Sequence, residues 1–517
     1  MTEPTPVTSI DAGPAGIVDH LDGDRVVVDE ALRRQLAEVC AEVSVDDLDR
    51  AEAGRDWWPL AIGWAADGEV PARPAVVARP TDTDQVAAVL ALCNSARVPV
   101  TAAGGRSGVC GASVPVFGGV SLDLCRLAGI AAVDSDSLVA DLRAGTFGPD
   151  VEAGLRDGHG LTLGHWPQSM DLSTVGGWLA CRGAGQYSNR YGKIEDMVTG
   201  LEVVLADGTV VRTGGHGPRS ATGPDLTQLF VGSEGTLGVI TEGRFRVHPV
   251  PGAEDRRAFG FRSFAEGLDA CRRILRRGAT PAVLRLYDET ESGRSFDHSE
   301  TNALIVLDEA DPGLVEATMA VVDQECGSAD PLDAGLVERW LGHRNDVSAL
   351  APLWRSGIVV DTVEVSARWS VLPGLYRSVL DALTGVEGTL AASSHQSHAY
   401  TDGACLYFTF AGRPPVEEGS TDSPAGRDGS AAAAGHRDWV DRYYRRAWDE
   451  VTRATMAAGG AISHHHGIGI NRSRFLAGAL GTGFGVLTAV KGALDPNGIL
   501  NPGKLGLAGP YGAVPWP

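Results

Sequence analysis

No run of apolar residues in this chain approaches the ~20 needed to cross a bilayer. The opening MTEPTPVTSIDAGPAG has no basic stretch followed by an apolar one, so no secretory signal is expected and a cytoplasmic location is. The cysteines (Cys40, Cys93, Cys110, Cys125, Cys181, Cys271, Cys326, Cys405) are scattered without a CxxC pair, which argues against a disulfide framework or a zinc site. Positive charge is also in deficit: 44 Lys and Arg against 66 Asp and Glu leave a net charge of −22. Nucleic acid and anionic membrane are therefore not expected as main partners, since both are bound through clustered cations. What remains is ordinary for a soluble globular protein, with 43% hydrophobic and 21% charged residues. At 517 residues the chain exceeds the ~250–300 that one core usually serves, so at least two domains are expected.

Glycine is abundant instead, 67 of 517 residues against a typical ~7%. The glycines cluster among apolar residues, in GGRSGVCGAS (104–113), STVGGWLACRGAG (173–185) and GSEGTLGVIT (232–241). Glycine is needed where backbone takes positive φ or approaches another group closely. Three such clusters within 140 residues suggest a large ligand surrounded by main chain, against the simpler reading of tight turns in a β-rich domain.

The pattern of elements is mixed. Residues 1–70 read as an N-terminal extension with a helix over Glu30–Val43 and an aromatic segment, Trp57-Trp58-Pro59. Strands are expected at 74–80, 98–101, 138–143, 201–205, 209–212 and 238–247. The N-cap in Thr81-Asp-Thr-Asp84 opens a helix whose Val86, Val89, Leu90 and Cys93 share one face. Asp207-Gly208 between β-branched runs marks a hairpin. The paired prolines Pro249 and Pro251 close a domain over 71–250. A second domain over 251–458 alternates strands and helices, with 413–438 as a mobile insertion poor in bulky apolar residues. Residues 459–517 form a closing segment punctuated by Pro-Asn-Gly and Asn-Pro-Gly turns.

A Gly-rich turn exposes successive N–H groups that bind an anion such as a pyrophosphate. Thr101–Ala112 fits that physics but is neither a Walker A sequence nor a GxGxxG opening a helix. In combination the motifs are more specific. Ala102–Gly108, Pro167-Gln-Ser-Met-Asp-Leu-Ser-Thr-Val-Gly-Gly177, Tyr191-Gly-Lys-Ile-Glu-Asp196, Asp207-Gly208 and Gly232–Thr241 together resemble the vanillyl-alcohol oxidase and p-cresol methylhydroxylase (PCMH) flavoprotein superfamily. The resemblance runs from about 71 to 250 and resumes at 460–505. It implies an α+β fold, with a PCMH-type FAD-binding domain of two subdomains and an α/β cap, the FAD-linked oxidase C-terminal domain. It also implies FAD held by Ala102, Ala103, Gly104, Gly105, Arg106, Ser107 and Gly108 at the pyrophosphate. Around the rest it places Gln168, Ser169, Met170, Asp171, Leu172, Ser173 and Thr174, with Cys181, Arg182, Gly183 and Ala184, and Glu234, Gly235, Thr236, Leu237, Gly238, Val239 and Ile240. Some members attach FAD through a histidine in the phosphate loop. No histidine lies between Thr101 and Ser113, so non-covalent FAD is expected.

His464-His465-His466 follow a helix and precede Gly467-Ile-Gly469. A metal site is one reading, but adjacent side chains in an extended segment face opposite ways and no acidic cluster adjoins them, so no metal is expected. A surface run is a second, and flanking Ile462 and Ile468 favour a third, burial at a flavin site, where imidazole carries protons near neutral pH. This triplet, with Leu284-Arg-Leu-Tyr-Asp288 and Cys405-Leu-Tyr-Phe-Thr-Phe410, narrows the resemblance to the alkyldihydroxyacetonephosphate synthases.

That family performs no net redox change. A base takes a proton from C1 of an acyl-dihydroxyacetone phosphate, flavin N5 adds there, the fatty acid leaves and a fatty alcohol forms an ether bond. The resemblance makes Tyr407 the catalytic tyrosine, His464, His465 and His466 the essential triplet, Arg285 a required arginine, and Arg355 the nearest match to a phosphate-binding arginine. It implies a transferase of ether lipid biosynthesis with a small or lipid-like substrate, and leaves open a membrane-surface contact for lipid access and a homodimer.

Some features depart from that pattern. The ending GAVPWP is not a peroxisomal signal, and His395 and His398 stand where the family has other polar residues. FAD-linked D-lactate and glycolate dehydrogenases share the cofactor domain and the DPNGILNPGKL ending. Oxidation of a 2-hydroxy acid, or of an alcohol, is therefore the alternative activity.

Overall fold

A computed structural model describes residues 9–11, 16–347, 350–414, 431–514 and 516. Two units result: 1–184 with 193–249 and 465–517, and 185–192 with 250–464.

In the first unit, Val76–Arg79 and Val100–Ala103 flank Val120–Asp123 as parallel strands, and Glu42–Ser44 adds an antiparallel edge. The helix Thr83–Ala96 is capped by Asp82, whose carboxylate accepts the Gln85 N–H at 2.8 Å. Its Val86, Val89, Leu90 and Cys93 are fully buried, as the spacing requires. A second sheet takes Val198–Val204 and Val210–Gly214 as the Asp-Gly hairpin, then Val239–Arg246, Val139–Arg143 and Ile130–Asp134. These two sheets are the two subdomains.

Residues 1–70 are not an appendage. Leu32 and Leu36, on a helix that ends at Val39 rather than Val43, join the core of the four-stranded sheet. Trp58 is fully buried, edge-on to Trp64 and to Trp516 from the far end of the chain. A short hydrophobic segment is stable only when it buries its face against another element, and here the parallel sheet supplies that face.

The second unit is a seven-stranded sheet ordered Asp330–Pro331, Ala253–Phe261, Asn302–Ala310, Val283–Tyr287, Thr389–Ala399, Gly403–Gly412, Val359–Arg368. Helices Phe264–Arg276, Pro312–Glu325 and Leu372–Thr384 each bury an apolar stripe. The expected mobile insertion at 413–438 needs correction: residues 415–430 lie outside the described residues, and 431–438 belong to a helix, Ala431–Ala457. Tyr444 and Trp448 on that helix donate to Asp361 Oδ2 at 2.6 and 3.0 Å, and such bonds compensate a buried carboxylate. The expected domain over 71–250 also gives up 185–192, which belongs to the second unit. There Arg190 grips Asp308 with both nitrogens of its fork, at 2.6–2.8 Å.

No single described helix is long and apolar enough to cross a membrane. Two short apolar helices, Ser473–Leu480 and Gly483–Leu494, would suffice only as a pair and are bent by 118° to each other.

Candidate active site

Four segments expected around a cofactor converge in the first unit. A Cβ built on Gly104 would lie 2.1 Å from Thr174 Oγ1, and one on Gly105 would lie 2.0 Å from the Leu172 carbonyl. The loop after Val100–Ala103 is thus pressed onto residues 172–174 so closely that only glycine fits. Glu234 donates its N–H to the Ala180 carbonyl at 2.9 Å, and Gly235 packs on Ala102. Arg106, Arg182 and Glu234 hold left-handed φ of +53°, +57° and +49°. Such strain in non-glycine residues gathers where backbone is shaped for a ligand.

The C-terminal residues lock these loops. The Glu234 carboxylate accepts the N–H groups of Ile468 and Gly469 at 2.5 and 2.9 Å, while Asn501 Nδ2 donates to the Glu234 carbonyl and to Ala112. Lys504 is fully buried and donates to the Val114 carbonyl at 2.7 Å. Burial lowers its ammonium to about 7 against the opposing pull of Glu234 and Asp56, and raises Asp56 to about 7.

The residues present suit a large polar cofactor. His165 is wholly buried, its ring 4.7 Å from that of Trp178, yet neither ring nitrogen has a partner in the chain. The same holds for Ser233 Oγ and for both side-chain amide atoms of Asn471. Buried polar atoms without partners cost free energy in the protein alone and are natural contacts for a ligand. With the loop N–H groups, these are the donors and acceptors that FAD would use.

The second unit carries two of the expected catalytic residues, Tyr407 and Arg285, on one sheet face. Along Gly403–Gly412, Leu406, Phe408 and Phe410 are fully buried, while Tyr407 and Thr409 turn to the other face and remain partly accessible. Strand register then fixes the neighbours. Tyr407 stands opposite His395 and Glu364, and His395 opposite Tyr287, so four strands present the row Tyr287–His395–Tyr407–Glu364. The His395 ring stacks with both tyrosines, at 5.2 and 5.0 Å. Arg285, two residues before Tyr287, shares this face.

Sequence reasoning noticed His395 and His398 without giving them a role, and it missed Glu291, Ser188, Tyr400 and Glu364. Glu291 is buried in the first turn of a helix capped by Asp288, where a Glu reads as ordinary capping chemistry. Its carboxylate accepts from His395 Nδ1 (2.7 Å), Ser393 (3.0 Å), Thr409 (2.9 Å) and Arg294 (3.0 Å). Burial opposes its charge, but His395 and Arg294 hold it down at about 2. Burial is also the main cause that lowers His395, against the opposing pull of Glu291. His398 reaches the same face through a β-bulge: the register slips between Gln396 and His398, which puts His398 opposite Cys405 rather than Ala404. There it lies 2.9 Å from Ser188 Oγ and stacks on His464 at 5.0 Å.

His464 is fixed by Tyr400, whose hydroxyl lies 2.9 Å from Nε2, and by a bond from its N–H to Glu364. Tyr400 is thus a tyrosine bonded to the triplet. Thr362 Oγ1 donates to the Tyr407 hydroxyl at 3.1 Å. Burial, then nearby Asp361 and Glu364, push the Tyr407 phenol well above its ordinary value. Arg285 pulls the other way, but more weakly. The triplet itself divides: His464 belongs to the second unit, His465 and His466 to the first, where their rings meet edge to face at 4.4 Å. Arg355 is not brought into the row; it is exposed at the end of Leu350–Arg355, and Arg285 is the buried arginine on this face.

A family model described as "FAD binding domain" matches residues 74–214, and one described as "FAD linked oxidases, C-terminal domain" matches 251–505. The uncharacterized FAD-linked oxidoreductase YgcU of Escherichia coli K12 is 30% identical over 514 residues, covering 95% of this chain and 98% of its own. An alkyldihydroxyacetonephosphate synthase of Dictyostelium discoideum is 28% identical, covering 85% and 74%, and the glycolate oxidase subunit GlcD of Bacillus subtilis is 28% identical, covering 93% and 97%. A solved alkyldihydroxyacetonephosphate synthase structure superposes with a TM-score of 0.76 over 97% of this chain and 89% of that one, at 24% identity.

Proposed function

The chain belongs to the FAD-linked oxidase family, as an alkyldihydroxyacetonephosphate synthase-like member, and from that premise we propose that it catalyses a redox-neutral exchange of an acyl group for an alkyl ether on a phosphorylated ketone substrate. FAD is its cofactor and, when bound, supplies an isoalloxazine ring that accepts an electron pair. The protein's own part is proton handling and substrate orientation. The observation that carries the reading is the row on the sheet of the second unit, which aligns Tyr407 with His395 and Glu364 beside buried Arg285.

In this reading Arg285 receives the anionic end of the substrate and Tyr407 works from its hydrogen bond with Thr362. Because its phenol is raised, Tyr407 holds its proton at neutral pH and gives it up only as a stronger base draws on it. Tyr407→Phe should lower turnover by at least ~10²-fold and leave FAD absorbance intact; unchanged turnover would remove Tyr407 from the chemistry. FAD is held without a covalent bond in this proposal, so acid precipitation should release it, and flavin left on the pellet would contradict that.

A second reading has its own support. His395 and His398 bring imidazoles to the same face as Arg285, and an imidazole near a carboxylate-binding arginine is what oxidation of a 2-hydroxy acid requires. The two separate under anaerobic incubation. Flavin bleaching by palmitoyl-dihydroxyacetone phosphate with release of palmitate supports the first. Bleaching by D-lactate with formation of a keto acid supports the second.

A further inference from the structure

Buried cations are normally paired with a carboxylate, because an isolated charge is costly to desolvate. Arg285 breaks this pattern. It is 8% exposed, yet its hydrogen bonds within the chain go to two neutral acceptors, Tyr287 Oη from Nε at 3.1 Å and His395 Nε2 from Nη2 at 2.7 Å. Since a guanidinium can only donate, the Nε2 it meets must be an acceptor. The His395 proton then sits on Nδ1, where it is donated to Glu291. Around this chain the charged groups are Glu291 and Arg294 on the helix and Arg285 on the strand, with the phenols of Tyr287 and Tyr407 flanking the imidazole. The rings of Trp340 and Tyr287 lie 5.4 and 5.8 Å from the guanidinium carbon and fix its plane.

The neutral imidazole is the important part. A carboxylate in its place would hold Arg285 equally well but cancel its charge. An imidazole spacer fixes the fork and leaves the charge to act elsewhere, while Nη1 keeps both its N–H groups unused among the described residues. We infer that Glu291 and His395 are positioning residues that hold Arg285 as the receptor for the oxyanion head group of the substrate, a carboxylate or a phosphate monoester. This rests on the reading of the second unit as substrate-binding, and both proposed activities use such a head group.

The test is calorimetric titration of the FAD-loaded protein with oxalate and, separately, with inorganic phosphate. Binding of either supports the inference, and the tighter of the two identifies the head group. His395→Gln keeps an amide acceptor toward Arg285 and a donor toward Glu291, so it should bind the anion within about 3-fold of the parent protein. His395→Leu should weaken binding at least ~10-fold. His395→Glu should abolish it, although it still holds the arginine. Visible FAD absorbance and melting temperature verify that each variant is folded and loaded. The inference is overturned if neither anion binds, if His395→Leu binds like the parent, or if His395→Glu binds as well as His395→Gln. None of these outcomes depends on which substrate bleaches the flavin, so the assignment of the reaction stands or falls separately.

Discussion

His165 shows what a single side chain can report. Its imidazole is buried beside Trp178 with no partner in the chain, and burial lowers it from 6.5 to about 3. Between those values the unfolded chain binds a proton that the folded one refuses, so stability rises with pH across that window and is lost as pH falls below about 6.5. Going from pH 7 to pH 5 should cost about 2 kcal/mol through this residue. His165→Phe keeps the ring stack and removes the titration. Denaturant unfolding at both pH values should show a pH dependence about 2 kcal/mol smaller in the variant, and equal dependence would refute the assignment. Tyr407, Arg285 and the triplet could be named in the sequence because each stands in a motif. Glu291 could not, since what makes it important is a long-range bond to a histidine 104 residues away. Arg355, expected to bind phosphate, is exposed, and position in a motif says nothing of exposure.

At the scale of elements, periodicity was informative wherever one face is buried. The helix Thr83–Ala96 and the strand Gly403–Gly412 follow from it directly, and so does the alternation that aims Tyr407 away from the core. The bulge before His398 was not legible, because a one-residue slip leaves no mark on composition and is set by pairing with a distant strand. It has a measurable consequence. Because Ser397 is the extra residue that keeps His398 opposite Cys405, the His398 ring itself is the part to remove, and His398→Ala should abolish its 2.9 Å contact with Ser188. Turnover with whichever substrate bleaches the flavin should drop at least ~10-fold. Bound FAD should persist, because the FAD segments lie in the other unit; loss of visible absorbance would show His398 to be structural.

For the whole molecule, the surprise was the role of the chain ends. Composition and glycine clustering pointed to two domains and a large cofactor, but residues 1–70 had no strong pattern of their own. Their core contacts appear only once the parallel sheet exists. The carboxyl end is tied in by charge. Two of the chain's three lysines, Lys491 and Lys504, are buried there. Lys491 bonds the Thr236 and Leu500 carbonyls and Asp495 at 2.5–2.8 Å. Lys504 lies close to Asp56 and Glu234. Lys504→Met removes a buried cation while its acidic neighbours remain, so a loss of about 3–5 kcal/mol is expected, with weaker FAD retention. Thermal melting with and without added FAD would measure both effects. An unchanged melting temperature would mean that the carboxyl groups are already neutral.

The lock that residues 467–504 place on the loops at 104–113 and 232–241 also sets an order of events during synthesis. A growing polypeptide folds in the direction in which it emerges, and the loops at 104–113 and 232–241 are tied by Asn501 and Lys504, which emerge after the sheet of residues 250–464. The interposed sheet of residues 250–464 can thus form first, and the flavin cradle is tied together only once residues 501–504 have joined it.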